Sequence, residues 1–382
     1  MRYNYMDSLR AILMSLGVVL HTAEIYSVSK DWYISDPNNS IVFDFLYQVI
    51  HVFRLPAFFI IAGFFAVFSI QKYGISEFIK LRVTRIGVPL ISTGIIFNSI
   101  TSVFFFYYHK QYMPEFNFII TKLIPATWLN WEWVYHLWFL IFYIIYFIVG
   151  SFAYLLIVKL SQKSRSMLNT FINLIFKNGR FLLILPTFYF FFRFLGMLFP
   201  DFFYTYIFGL HKLISIFYYG IFFFWGMLLF TKKHLLEEFV NLKIWHLVVF
   251  AASLSVIAIG DSESPNIVLK ISYWYAYDIV VWFLCNLTFY LFYKFLNKSS
   301  KLFLYLSEAS YSIYLFHYLI TAVLGFVLID INIPSTVKFF IVIIMSFGLT
   351  LMIHHFLILK YSVLSFMFNG KTRKRVKVLK PA

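Results

Sequence analysis

Charged side chains are scarce in this sequence: only 13% of its 382 residues are Asp, Glu, Lys or Arg, while 62% are hydrophobic. A soluble domain would carry about a quarter charged residues, so a soluble globular fold is excluded. Disorder is excluded too, because 51 Phe, 28 Tyr and 9 Trp supply abundant apolar surface to bury. The single cysteine, Cys285, lies within an apolar stretch and rules out an intramolecular disulfide, a cysteine zinc cluster or a two-cysteine redox centre. Acidic residues are half as numerous as basic ones, 16 against 32. The resulting charge of +16 is spread in small groups between apolar runs, not gathered into a patch with interleaved aromatics, so no nucleic-acid partner is expected. What remains is an integral membrane protein.

Apolar runs at 9–28, 43–70, 86–108, 136–158, 181–199, 207–230, 244–260, 271–293, 303–329 and 336–358 are each long enough, or nearly so, to cross a bilayer. They predict an all-α polytopic bundle of about ten transmembrane helices over residues 1–370, followed by a basic tail at 371–382. The first run keeps His21 and Glu24 and lacks a small-residue cleavage site, so it reads as an uncleaved span. With basic residues near the ends of the runs assigned to the adjoining connection, 24 of the 32 Lys and Arg fall in the termini and the connections after even-numbered spans, six (Lys30, Lys110, Lys122, Lys212, Lys270 and Lys338) in the opposite connections, and two, Arg54 and Arg193, inside spans. The positive-inside rule then predicts that both termini are cytoplasmic. Connections of at most about 30 residues leave no room for a soluble catalytic domain. The tail is expected to touch anionic membrane lipids, and no internal repeat stands out.

Ionisable residues inside spans are costly and mark functional candidates. On the first helix Arg10 and His21 stand eleven positions apart, which at about 100° per residue returns them to one face, with Gly17 and Glu24 on the same stripe. Their axial separation is roughly 16 Å. An arginine at the boundary can clamp phosphate and a histidine at half depth can move protons. A ligand reaching both would need an anionic head and a long thin arm, the shape of coenzyme A. Lys80, Arg82 and Arg85 form a second group, in which Arg-x-x-Arg sets two guanidinium forks on one side of a helix entrance. Basic residues at an inner boundary also serve simply as topology anchors.

RYNYMDSLRAILMSLGVVLH, HVFRLPAFFIIAGFFAVF, KLRVTRIGVPLIS, HLWFL, EASYSIYLFHYLI and LSFMFNGK, in this order, resemble the membrane acyltransferase-3 family, and within it the periplasmic-glucan succinyltransferase branch of Gram-negative bacteria. The resemblance runs from Arg2 to about Lys371. It implies transfer of an acyl group, succinyl or acetyl, from cytoplasmic acyl-CoA to a glycan hydroxyl on the periplasmic side of the inner membrane. His21 matches the family's essential histidine, Arg10 its partner, and Arg82 and Arg85 the donor-binding pair. His21 would be a general base or a transient acyl carrier, with Glu24 orienting the imidazole.

A succinyl group carries a free carboxylate, for which Arg54, sharing a face with His51, is the first cation candidate and Arg193 the second; the alternative is an internal ion pair with Asp44 or Asp278. Tyr311, Tyr314 and His317 either line the acyl passage or form a packing seam. His136 and Trp138 either meet the acceptor sugar or belong to the interfacial aromatic belt. His354 and His355 read as boundary residues, and no metal site is expected because no thiolate or carboxylate set surrounds them. Acyl-CoA is thus the expected donor substrate, with no permanently bound cofactor, and a homo-oligomer is admitted. O-acetylation of a surface polysaccharide or lipid-linked sugar is the neighbouring reading, and a transporter or flippase is the rival from another class.

Overall fold

The computed structural model describes residues 3–29, 32–207 and 211–371. The apolar runs become helices because lipid offers no partner for a backbone N–H or C=O, and a helix satisfies both internally. In chain order these are α1 (Asn4–Ile25), α2 (Ile41–Tyr73), α3 (Ile75–Lys110), α4 (Phe116–Leu129), α5 (Trp138–Lys159), α6 (Gln162–Phe176) and α7 (Phe181–Leu198). There follow α8 (Ile214–Thr231), α9 (Lys233–Phe239), α10 (Ile244–Ile259), α11 (Ile267–Leu296), α12 (Lys301–Leu328), α13 (Ser335–Ile358) and α14 (Ser362–Asn369).

Among the described residues nine helices are long and apolar enough to cross a membrane, and α9 with α10, bent by 59°, make a tenth if taken as one span. Two details differ from the sequence expectation. The span placed at 207–230 starts only at Ile214, because Tyr206–Ile207 pair antiparallel with His211–Lys212 ahead of it. The long connections are themselves helical, holding α4 and α6. The tail beyond Lys371 lies outside the described residues.

The described residues group into two compact units. The first contains the described parts of Met1–Leu16, Asp44–Ile79 and Ile145–Glu308. Its tightest seam joins α2 to α8: a Cβ on Gly63 would lie 1.9 Å from the Phe223 carbonyl oxygen, and one on Gly226 would lie 2.0 Å from that of Ile60. Backbone meets backbone at both glycines, as in small-residue packing between membrane helices. Around the seam lie stacked Phe222 and Trp282, 4.2 Å between ring centroids, and the buried Trp225 and Phe239. At α9 and α10, His246 Nδ1 and Asn286 Oδ1 lie 3.1 Å apart, and Asn286 donates to the Phe239 carbonyl.

The second unit contains the described parts of Gly17–Phe43, Lys80–Ile144 and Ala309–Ala382. α3 is interrupted by a π turn at Gly94–Asn98, and Asn98 donates to the Trp133 carbonyl at 2.6 Å. The chain after α1 is tied back by Asp36, whose N–H bonds to the Ile25 carbonyl and whose carboxylate lies 2.7 Å from Lys338 Nζ. Both side chains are buried, and Lys338 also donates to the Ile329 carbonyl. Lys338, counted above as a loop lysine, is therefore a buried partner in α13. His354 corrects the boundary reading in the same way: it is fully buried and hydrogen-bonded to Ser312 at 2.8 Å.

Two outcomes follow from this packing. Gly226→Val drives a Cβ into a carbonyl that has no slack, so it should cost on the order of 1–3 kcal/mol or more in thermal or denaturant unfolding of the detergent-solubilised protein; a wild-type melting profile would contradict the seam. Lys338→Met strands the Asp36 carboxylate and should cost about 3–5 kcal/mol. Adding Asp36→Asn should recover part of that loss, and a double variant no more stable than the single one would contradict the pairing.

Candidate active site

His21 projects from α1 within the second unit, and Glu24 follows one turn later, placing its Oε2 2.6 Å from His21 Nδ1. Since a carboxylate accepts, Nδ1–H donates, and in the neutral imidazole Nε2 then carries the free lone pair. Both side chains are largely buried, at 14% and 12% exposure, so little water competes for this bond. Rings enclose the imidazole. Trp32 stacks on it at 5.9 Å between centroids, Tyr318 meets it edge-on at 5.0 Å, and His317 lies 5.4 Å away.

The array continues to a third imidazole. His136 is 5.4 Å from His317 and stacks on Tyr318 at 4.7 Å. Its position comes from the 3-10 turn Glu132–Leu137, where Tyr135 takes φ 38° and ψ −116°. That is sterically costly for a side-chain-bearing residue and persists only where its surroundings over-determine it. They do so here: the Tyr135 hydroxyl bonds Ser102 at 3.0 Å, and the Tyr314 hydroxyl donates to the His136 carbonyl at 2.6 Å. His317 Nδ1–H donates to the carbonyls of Tyr314 (2.8 Å) and Ile313 (3.1 Å), which selects the same tautomer as in His21. His136, named with Trp138 as a candidate for contact with the acceptor sugar, is a buried neighbour of His317. Trp138 packs its edge on Phe142, and Tyr311 stacks on Tyr314 with its hydroxyl buried.

The Arg-x-x-Arg segment also belongs to the second unit. Lys80 and Arg85 are exposed and Arg82 is half-buried. The end of α14 packs on its backbone: Gly370, at φ 58°, is so close that a Cβ would lie 2.4 Å from Arg85 Cα and 2.7 Å from the Thr84 carbonyl oxygen. Only glycine fits there. The KLRVTRIGVP and LSFMFNGK blocks, distant in sequence, are therefore in contact.

The remaining candidates belong to the first unit. Arg10 donates to the Ser307 hydroxyl and lies 3.7 Å from Asp7. His51 stacks on Tyr47 at 5.1 Å, and Arg54 lies one turn further along α2. Arg193 forms an ion pair with Asp278 at 3.2 Å, with its guanidinium over the rings of Tyr189 and Trp274. Of the candidates for the acyl group, Tyr311, Tyr314 and His317 belong to the second unit and His51, Arg54 and Arg193 to the first. Sequence reasoning missed Trp32, Tyr135 and Tyr318. Tyr318 adjoins His317, a usable signal, but Trp32 sits in an aperiodic connection with none. Among the described residues no group of three or more His, Cys, Asp or Glu is arranged to hold a metal ion.

The family model described as Acyltransferase domain matches residues 3–355. Glucans biosynthesis protein C of Salmonella paratyphi B (strain ATCC BAA-1250 / SPB7) and its counterparts in Salmonella dublin and Salmonella heidelberg are each 25% identical over 379 residues, covering 97% of this chain and 95% of theirs. No solved structure matches. With the family model spanning nearly the whole chain, this multi-pass membrane protein belongs to the acyltransferase-3 family and is an acyltransferase.

Proposed function

We propose that the protein transfers an acyl group, succinyl first among candidates, from cytoplasmic acyl-CoA to hydroxyls of a periplasmic glucan across the inner membrane, with both termini cytoplasmic. The observation that carries this reading is the 2.6 Å contact between His21 and Glu24 inside a cage of aromatic rings. Glu24 holds the Nδ1 proton and aims Nε2 as general base. The acceptor hydroxyl gives its proton to Nε2 as its oxygen attacks the thioester carbonyl; a C–O bond forms, the C–S bond breaks, and coenzyme A leaves as a thiolate that regains the proton. Arg82, Arg85 and Lys80 would bind the donor's phosphates, with Arg10 as a further anion partner. Arg54 is the first cation proposed for a succinyl carboxylate and Arg193 the second. The distribution of Lys and Arg between alternate connections supports the orientation, and the names of the relatives support a glucan acceptor.

The test is donor turnover by purified protein in nanodiscs, given succinyl-CoA or acetyl-CoA with a gluco-oligosaccharide and followed by release of free coenzyme A. Acceptor-dependent release with one donor is expected, falling by about 10²-fold or more in His21→Ala. Glu24→Gln should fall between wild type and that variant. Full activity in His21→Ala would remove the base; wild-type release with acetyl-CoA alone would make the protein an O-acetyltransferase. Arg54→Leu should shift preference from succinyl-CoA towards acetyl-CoA, measured as the ratio of kcat/KM values, and an unchanged ratio would remove Arg54 from carboxylate recognition.

A further inference from the structure

The first unit contains a cavity of about 160 Å³ lined by His51, Val52 and Pro56 of α2, Tyr189 and Arg193 of α7, Tyr218 and Tyr219 of α8, and Tyr277 of α11. It lies towards the starts of α2, α8 and α11 and the end of α7. The opposite ends of α2 and α11 are where Phe64 meets Tyr3 and Tyr293 meets Tyr5.

The lining is polar for a site inside apolar helices. Four phenols both donate and accept, and one imidazole joins them, with no lysine and no carboxylate among the lining groups. Arg193 offers N–H donors but little net charge, since Asp278 matches it at 3.2 Å and the rings of Tyr189 and Trp274 flank it. The other oxygen of Asp278, Oδ2, is buried and has no hydrogen-bond partner within the described residues. Near the start of α8, burial and the neighbouring His51 push the pKa of His211 down to about 4, so this hairpin imidazole adds no positive charge at neutral pH. An anion would compete with Asp278 for Arg193, and an apolar ligand would match none of the polar groups that face the cavity. A compact polyhydroxyl ring satisfies them, stacking its C–H face on an aromatic ring while its hydroxyls meet phenols and guanidinium. The volume is below the roughly 300–1,000 Å³ typical of drug-sized ligands, which suits one ring and not a chain.

We propose that this cavity is a sugar-binding subsite, holding a single neutral hexose unit of the glycan acceptor. It rests on the glycan-acceptor reading for its biological use, but the binding is measurable without turnover. Tyr218, Tyr277 and Arg193 supply the polar contacts, beside the aromatic rings of the lining. The subsite is a holding site, in which the ring undergoes no chemistry.

The experiment titrates a linear gluco-oligosaccharide into the purified full chain in nanodiscs, without acyl donor, by saturation-transfer NMR and tryptophan fluorescence. Saturable binding is expected, with Kd raised about tenfold or more in the Tyr218→Phe, Tyr277→Phe double variant, which deletes only two hydroxyls. Val52→Trp, which fills the cavity, should abolish binding while the protein keeps its monodisperse elution and cooperative melting. Unchanged Kd in both variants overturns the proposal, as does displacement of the sugar by succinate. Sugar binding that responds to the variants in a protein with no transferase activity would sustain the subsite and refute the reaction; transfer with sugar affinity indifferent to them would do the reverse.

Discussion

The arrangement of the site depends on one contact, the hydrogen bond from His21 to Glu24 on a single turn of an otherwise apolar helix. Two ionisable groups in such a helix are tolerated when each satisfies the other, and the surrounding rings keep competing water away. The same bond decides which imidazole nitrogen is available for chemistry. His317 reaches the same tautomer by another route, through backbone carbonyls one turn earlier in α12. Neighbouring histidines are thus set alike by unrelated partners, and both are held on helices, which position side chains more firmly than loops do.

Rigidity around this centre comes from polar fasteners placed where the chain is irregular. The connection after α1 brings Trp32 onto His21, and Asp36, four residues later, is locked to Lys338 by a buried ion pair. The strained backbone at Tyr135 is held by Ser102 and Tyr314 and delivers His136 to the array. In the first unit the equivalent constraint is steric: paired glycines allow α2 and α8 to touch through their backbones. Each device limits motion where apolar side chains alone would leave freedom.

Much of this was legible in the sequence because lipid imposes simple rules. Hydropathy located the spans closely enough to identify an all-helical membrane protein, and helical arithmetic placed His21 and Glu24 on one stripe of α1. Where a residue's role depends on a partner far along the chain, the sequence was silent. Lys338 looked like a loop lysine because nothing near it in sequence reveals Asp36, and His354 looked like a boundary residue because Ser312 is 42 positions away. That His136 is buried beside His317 was not visible, because a positive-φ turn at a tyrosine has no sequence signature. Arg193 illustrates the limit: only the structure shows that Asp278, and not Asp44, is its ion-pair partner, at 3.2 Å.

The central claim is that Glu24 holds His21 with Nδ1 protonated and Nε2 available as a base. Nitrogen-15 NMR of histidine-labelled protein at neutral pH tests it directly, with the His21 signals identified by their loss in a His21→Gln variant. The account requires a protonated, strongly hydrogen-bonded Nδ1 and an unprotonated Nε2 in wild type, with the Nδ1 resonance shifted in Glu24→Gln. A proton on Nε2, or on both nitrogens, would contradict it.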